Sequence, residues 1–448
     1  MTVSAKDAAQ FQPETRSGRR PIAAGRQADW RIALCLIALA LLVRSAAAVL
    51  LANVGDNAQV WEYGRQGLCA FQTHGDLCMF DRNGAAYASA YMPPLTSYLW
   101  LGLFHLFGPG VGAHTAYVAL NVLAGALAPG LLYAFARDAG LGRIAAVAGA
   151  LLLCMYPTFV FVSTTYHATN FTIVLLLAFA LVFARALRSG GRMAALLAGL
   201  LCGAGVLTRT EMLLVAAAAG LLLLWHHRAH WRTGILAAAT LGIATACVVV
   251  PWTVRNQIVF DRVIPVANAS GYNMWKAFGP YARGSGNQVG TAPDSVAALE
   301  AIAASVPLGD APGARYESRV QDAYAADTAR FMARTGFAHL ATLTGQKLVL
   351  LWLFDWTDPL THGLPYWAPW LVANLLALVG AWWMVRGRSE RLDIAGAETV
   401  LLLLAVLTLS YAISGVHARY RMHLEPFLFL FAGTALQAMF AAFRRSRA

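Results

Sequence analysis

Long apolar runs separated by short arginine-rich joints constrain this chain more than any other feature. The joints are "ARDAGLGR" (Arg137, Arg143), "RALRSGGR" (Arg185, Arg188, Arg192), "HHRAHWR" (Arg228, Arg232), "RGRSER" (Arg386, Arg388, Arg391) and the tail "RRSR" (Arg444, Arg445, Arg447). Apolar runs of about 20 residues span a bilayer, and basic residues collect in cytoplasmic loops. With these joints on the inner side, spans are expected near 113–136, 142–161, 170–187, 193–208, 211–225, 233–251, 366–385, 397–414 and 424–442. Adding the first run, 30–52, gives about ten crossings with both termini cytoplasmic. The fold class is therefore an all-α polytopic membrane protein. Composition agrees: of 448 residues 58% are hydrophobic and 12% charged, against about 25% charged in a typical soluble protein. The net charge of +12 is then the mark of positive-inside loops, not of a nucleic-acid partner.

The first 29 residues are polar and arginine-rich, and the run that follows is long enough to span, so it reads as a retained signal anchor. Lysine is confined to Lys6, Lys276 and Lys347 while Ala, Leu and Arg abound, a bias that points to a GC-rich bacterial genome and hence a bacterial inner membrane. Two apolar stretches, 93–108 and 340–354, are short for an upright span, and letting only the first cross would invert the basic loops up to the second. Both are expected to be interfacial or re-entrant helices on the outer face. The resulting division is a tail (1–29), a membrane module (30–251) containing a first outer loop (53–112), a second outer loop (252–366) and a C-terminal set of spans (367–448). The segment "ARYESRVQDAYAADTARFMARTG" within the second loop carries Tyr316, Val320, Tyr324 and Phe331 at helical spacing.

The candidate chemistry lies on the outer side. Asp56 closes the first span, where a helix C-terminus disfavours a carboxylate. "DNAQ" also fits a capping box with Asp56 as N-cap and Gln59 reaching back. Glu62 and Tyr63 follow on the same helix, with a solvated face as the plain alternative for Glu62. In "PWTVRNQIVFDRVIPVANASGYNMWKAF", Arg255 and Asn256 stand at the outer boundary, with Arg262, Tyr272 and Lys276 beyond them. In "YAISGVHARYRMHLEP", Arg419, Tyr420 and Arg421 lie at the mouth of the last hairpin between His417 and His423. Arginines on the outer side call for a partner, which is either an anionic ligand or a structural carboxylate such as Glu425. Cys69 and Cys78 fall together in the first outer loop, an oxidising compartment, and are expected to form a disulfide. No CxxC, HExxH or clustered His/Cys spacing is present. If a divalent ion is used, Asp56 with Glu62 or His417 are its candidate ligands.

The order of these pieces resembles the membrane glycosyltransferases of the GT-C fold that use polyprenyl-phosphate sugars, a class that includes the lipid A aminoarabinose transferases and the protein O-mannosyltransferases. The residues that carry the resemblance are the acid after the first span, "PPL" (Pro93–Leu95), "LTRTE" (Leu207–Glu211), "PWTVRN…GYNMW" and "RYR…EP". It implies a polyprenyl-phosphate-linked sugar donor, an acceptor that is a lipid, glycan or protein, and an extracytoplasmic active site. It also implies a carboxylate of the first outer loop as catalytic base, which here matches Asp56. The chain departs from the pattern in two places. The short outer joint "STTYHATNF" (Ser163–Phe171) carries His167 and Asn170 where members often have an acid, and Met92 stands where lipid A transferases have lysine. The mechanism these residues call for is an inverting displacement in which Asp56 takes the proton of an acceptor hydroxyl, with Glu62 next in line. Arg255, Arg419 and Arg421 would then bear the charge of the leaving phosphate. A transporter or flippase of a lipid-linked or anionic substrate is the rival reading, but it favours inverted repeats and midplane polar residues, and neither is visible here.

Overall fold

The computed structural model describes residues 22–285, 292–307 and 315–447. Helix α1 (Ile22–Leu51) leads into the first outer loop, which holds α2 (Trp61–Thr73), a hairpin of β1 (Cys78–Phe80) and β2 (Ala86–Ala88), and α3 (Pro94–Phe107). The strands are antiparallel with Cys78 opposite Ala88. Next come α4 (Val111–Asp138), α5 (Arg143–Met155), α6 (Pro157–Val162), α7 (Thr169–Ser189), α8 (Arg192–Val206), α9 (Met212–His226) and α10 (Trp231–Phe260). The second outer loop contributes α11 (Ser270–Phe278), α12 (Pro293–Ala304) and α13 (Tyr316–Trp352), and the chain ends with α14 (Leu364–Val385), α15 (Ile394–Ile413) and α16 (Glu425–Arg445). Among the described residues seven helices are long and apolar enough to cross a membrane, and three shorter apolar ones, α5, α8 and α9, join them. These are the ten segments read from the sequence.

The apolar run at 142–161 is not one helix. It breaks at Tyr156–Pro157, where proline removes a backbone donor and pushes its predecessor to extended geometry (φ −67°, ψ 121°). The broken end is capped from the first span. Arg44, fully buried, donates to the carbonyls of Leu153 and Cys154 at 3.0 and 3.1 Å, satisfying groups that no water reaches in a bilayer. The stretch at 340–354 lies in the part of α13 that follows a break at Gly336 (φ 76°, ψ 177°), where two helices meet.

The basic joints do meet at one end of the bundle. Asp29 accepts from the Tyr133 hydroxyl at 2.7 Å and pairs with Arg137 and Arg143 at 3.4 and 3.5 Å. Arg188 bridges Asp138 and Asp393, each at 2.7 Å, and His226 meets Glu398 at 2.6 Å. Inside the bundle glycine lets helix backbones touch. A Cβ on Gly149 of α5 would lie 2.6 Å from the Phe429 carbonyl of α16, and one on Gly433 of α16 would lie 2.3 Å from the Ala145 carbonyl.

Candidate active site

At the opposite end of the bundle, six separate segments enclose a cavity of about 230 Å³. They are the start of α2, the strap Tyr91–Pro93, the 167–169 turn, the 208–211 turn, residues 267–276 and residues 411–420. All belong to joints that charge parity assigns to a single side of the membrane.

Trp61 and Glu62 enter because α2 begins at this rim. Trp61 stacks on His167 with ring centroids 4.9 Å apart, and His167 in turn receives a hydrogen bond from Arg419 at 2.9 Å. An arginine can only donate, so His167 is a neutral acceptor. Burial first, and the charges of Arg419 and Arg209 after it, hold its pKa well below the usual histidine value. His417 is lowered in the same way by burial and then by Arg419, Lys276 and His167. Burial also lowers the pKa of Lys276, whose ammonium lies 5.3 Å from the centroid of Tyr272.

The 208–211 turn contributes a pair whose roles the sequence did not disclose. Arg209 is held by Glu211 at 2.6 Å and lies 4.6 Å over the ring of Tyr420, which stacks on Tyr411 at 5.0 Å. Burial opposes the Arg209 charge, but Glu211 more than offsets it and raises the pKa. For Tyr420 burial opposes ionisation, yet Arg209 and Arg419 pull the phenol below its ordinary value. Two charged residues in a four-residue turn between two short apolar helices were the available signal, and it is a weak one.

The expected site residues divide. Glu62, Tyr63, His167, Tyr272, Lys276, Arg419 and Tyr420 line the cavity. Asp56 does not: it is exposed on the turn before α2, near Gly110. Nor is it a helix cap, because α2 starts at Trp61 with Val60 at the N-cap and no side-chain cap bond. The turn is pinned by His114, whose Nδ1 lies 3.1 Å from the Gly55 carbonyl, and by the Tyr166 hydroxyl donating to Asn53.

Arg255 and Asn256 are also absent from the cavity. Arg255 donates to Asp76 at 2.6 Å and to the Leu77 carbonyl at 3.2 Å while covering Trp252 at 4.7 Å. Asn256 donates to the Ile264 carbonyl at 2.9 Å and Trp252 to that of Val266 at 2.6 Å. The "PWTVRN" motif therefore fastens the end of α10 to the loops around it. Arg421 is buried against Glu425 at 2.8 Å and the Tyr366 hydroxyl at 3.0 Å, and Asn170 is buried with Ser163 at 2.9 Å. Cys69 and Cys78 are bonded, with Cα atoms 5.5 Å apart. Among the described residues no group of three or more His, Cys, Asp or Glu is placed to hold a metal ion.

Comparison with known proteins first defines the class. The chain is similar to the archaeal oligosaccharyltransferase AglB from Archaeoglobus fulgidus, solved with an inhibitory peptide and a dolichol-phosphate, with a TM-score of 0.56 at 15% identity over 93% of this chain and 51% of that one. It is similar also to an oligosaccharyltransferase of that organism in complex with Zn and sulfate, with a TM-score of 0.54 at 13% identity, covering 91% of this chain and 49% of the other. The chain thus spans about half the length of these proteins. The likeness shows the fold, a GT-C-type membrane bundle. ArnT from Cupriavidus metallidurans bound to undecaprenyl phosphate aligns more loosely, with a TM-score of 0.43 at 16% identity over 90% of this chain and 77% of that one. At the level of family, residues 91–253 match the model described as dolichyl-phosphate-mannose-protein mannosyltransferase. No curated protein sequence matches the chain.

Proposed function

We propose that this protein is a GT-C glycosyltransferase that moves a sugar from a polyprenyl phosphate to an acceptor hydroxyl at the outer face of a bacterial inner membrane. One observation carries the reading. In the outer cavity Glu62 faces a set of cations, of which Arg419 and Lys276 form no ion pair among the described residues. A buried cation without a carboxylate is costly, and an anionic ligand removes that cost. The match of 91–253 to a dolichyl-phosphate-mannose transferase model supports a lipid phosphate as that anion.

In this scheme the donor's lipid remains in the bilayer and its phosphate meets Arg419, Lys276 and Arg209. Glu62 accepts the proton of the acceptor hydroxyl as that oxygen attacks the anomeric carbon. The C–O bond to phosphate breaks, and the cations take up the charge left on the phosphate oxygen. Glu211 is engaged by Arg209, so Glu62 is the free carboxylate of the cavity, an arrangement that suits single displacement with inversion better than a double displacement. Asp56, six residues earlier on its pinned turn, is the alternative base. The neutral His167 and Trp61 offer a hydrogen-bonding and stacking face to a sugar. The test is transfer from radiolabelled polyprenyl-phosphate mannose to endogenous acceptors in membranes bearing the protein. Label that crosses the bilayer without forming a new glycosidic bond would overturn the reading in favour of transport.

A further inference from the structure

Behind the cavity wall runs a chain of fully buried polar groups that the proposed transfer does not use. The Ser97 hydroxyl donates to Gln66 Oε1 at 2.8 Å, Gln66 Nε2 donates to Ser89 Oγ at 2.8 Å, and the Ser89 hydroxyl donates to Glu317 Oε2 at 2.5 Å. The other Glu317 oxygen receives the Ala90 N–H at 3.0 Å. Ala90 in turn accepts from the Asn268 N–H at 2.7 Å. The chain thereby joins α2, the strap, α3, the 267–269 loop and α13. Its neighbours line the cavity: Glu62 lies one helical turn before Gln66, Tyr91 two residues after Ser89, and Ala267 and Ala269 flank Asn268.

The direction of the chain is forced. In its ionised form Glu317 only accepts, so the single Ser89 proton then goes to Glu317. Ser89 Oγ also receives the Tyr91 N–H at 3.2 Å, and with Gln66 both of its lone pairs are used. The Gln66 amide must then turn its nitrogen to Ser89 and its oxygen to Ser97. A neutral amide at 317 breaks this pattern unless the Gln66 amide turns over, which takes the acceptor away from the Ser97 hydroxyl. Facing its nitrogen to Ser89 sets donor against donor, and turning it over sets the nitrogen against the Ala90 N–H.

We propose that Glu317 is a positioning residue, the terminal acceptor of a one-way hydrogen-bond chain that holds α2 and the strap, and with them Glu62 and Tyr91, in place around the cavity. The proposal rests on the glycosyltransferase reading for its catalytic consequence but not for its structural one. The test is a polarity swap in the full-length protein in detergent or nanodiscs. Glu317→Gln is expected to lower kcat/KM for polyprenyl-phosphate mannose by about 10–100-fold, because small misplacements of a base are expensive, and to lower Tm. Gln66→Glu alone leaves two carboxylates competing for the Ser89 proton and is expected to do likewise. The double variant Gln66→Glu/Glu317→Gln reverses the two bonds at Ser89 and keeps the rest: the amide now at position 317 donates to Ser89, while Ser89 and Ser97 both donate to the carboxylate now at position 66. It is expected to recover most of both losses. In a Ser89→Ala background the donor conflict is gone, and adding Glu317→Gln is expected to have little further effect. A silent Glu317→Gln, a double variant no better than the single ones, or additivity with Ser89→Ala would each overturn the proposal. If the parent protein transfers no mannose, the functional reading is what fails, and the Tm pattern across the same variants still decides the role of Glu317.

Discussion

Arg188 at one end of the bundle and Arg419 at the other meet opposite kinds of partner. At the inner end Arg137 and Arg143 share Asp29, and Arg185 and Arg188 share Asp138, with Asp393 as a further partner for Arg188. In the outer cavity Arg419 donates to a neutral histidine, and Lys276 lies against a tyrosine ring. The same contrast separates Arg419 from Arg421, two residues on, whose charge is met by Glu425. A cation that already has a carboxylate is part of the framework; one left with neutral neighbours at the outer surface is free to meet an anion. Partner chemistry, and not position along the membrane normal, tells the two kinds apart.

The strongest way to break this comparison is to remove the acid that faces the free cations. Glu62→Gln is expected to lower kcat by about 10²–10⁴-fold with donor binding largely kept, as for loss of a general base, while Asp56→Asn is expected to cost far less. The reverse ranking in a single-turnover assay with labelled donor would move the base to Asp56. Next, Arg419→Ala is expected to weaken donor binding and kcat together, by roughly 10–100-fold in kcat/KM, since the phosphate is charged before and during transfer. Arg188→Gln at the inner end is expected to leave the donor KM unchanged and to cost only stability. Equal kinetic effects from the two would erase the distinction.

The disulfide gives a smaller effect. Cys69→Ser/Cys78→Ser is expected to cost about 2–3 kcal/mol on the loop-closure model, read as a lower Tm, with a resting mass deficit of two hydrogens in the parent protein. The smallest effect is on pH dependence. Burial raises the Glu317 carboxyl from an ordinary 4.5 to about 7, against the lowering pull of its bonds from Ser89, Ala90 and Asn268 and of Arg255. Tyr87 of the hairpin, raised first by its own burial and then by this carboxylate, also faces it. The folded state therefore holds a proton that the unfolded chain has released between these values. This group's contribution to stability is complete below 4.5 and falls as pH rises toward 7. A plot of Tm against pH is expected to slope less in Glu317→Gln than in the parent over that window.

Much of the architecture was legible because a bilayer leaves few solutions. Apolar runs and basic joints gave the ten segments, and parity put every cavity segment on one face before any distance was known. The departures have local causes. Pro157 divides a run that hydropathy alone joins, and Asp56 caps no helix because α2 starts only at Trp61. The site was harder. Arg255 stands out in the chain as a cation on the disfavoured side, but its partner, Asp76, is 179 residues earlier, and no pattern in the chain links them. Arg209 and Glu211 belong to a motif that by itself gives them no role, since a charged pair in a tight turn is ordinary until Tyr420 is seen to cover it.

The glycine contact between α5 and α16 bears on how the molecule is made. Gly149 and Gly433 interlock two helices that lie far apart along the chain. Until the last span enters the membrane, α5 presents an open groove with nothing but lipid to fill it, and the Arg419 loop just ahead of α16 has no fixed anchor. The Arg419 side of the cavity is therefore set only once α16 has packed on α5.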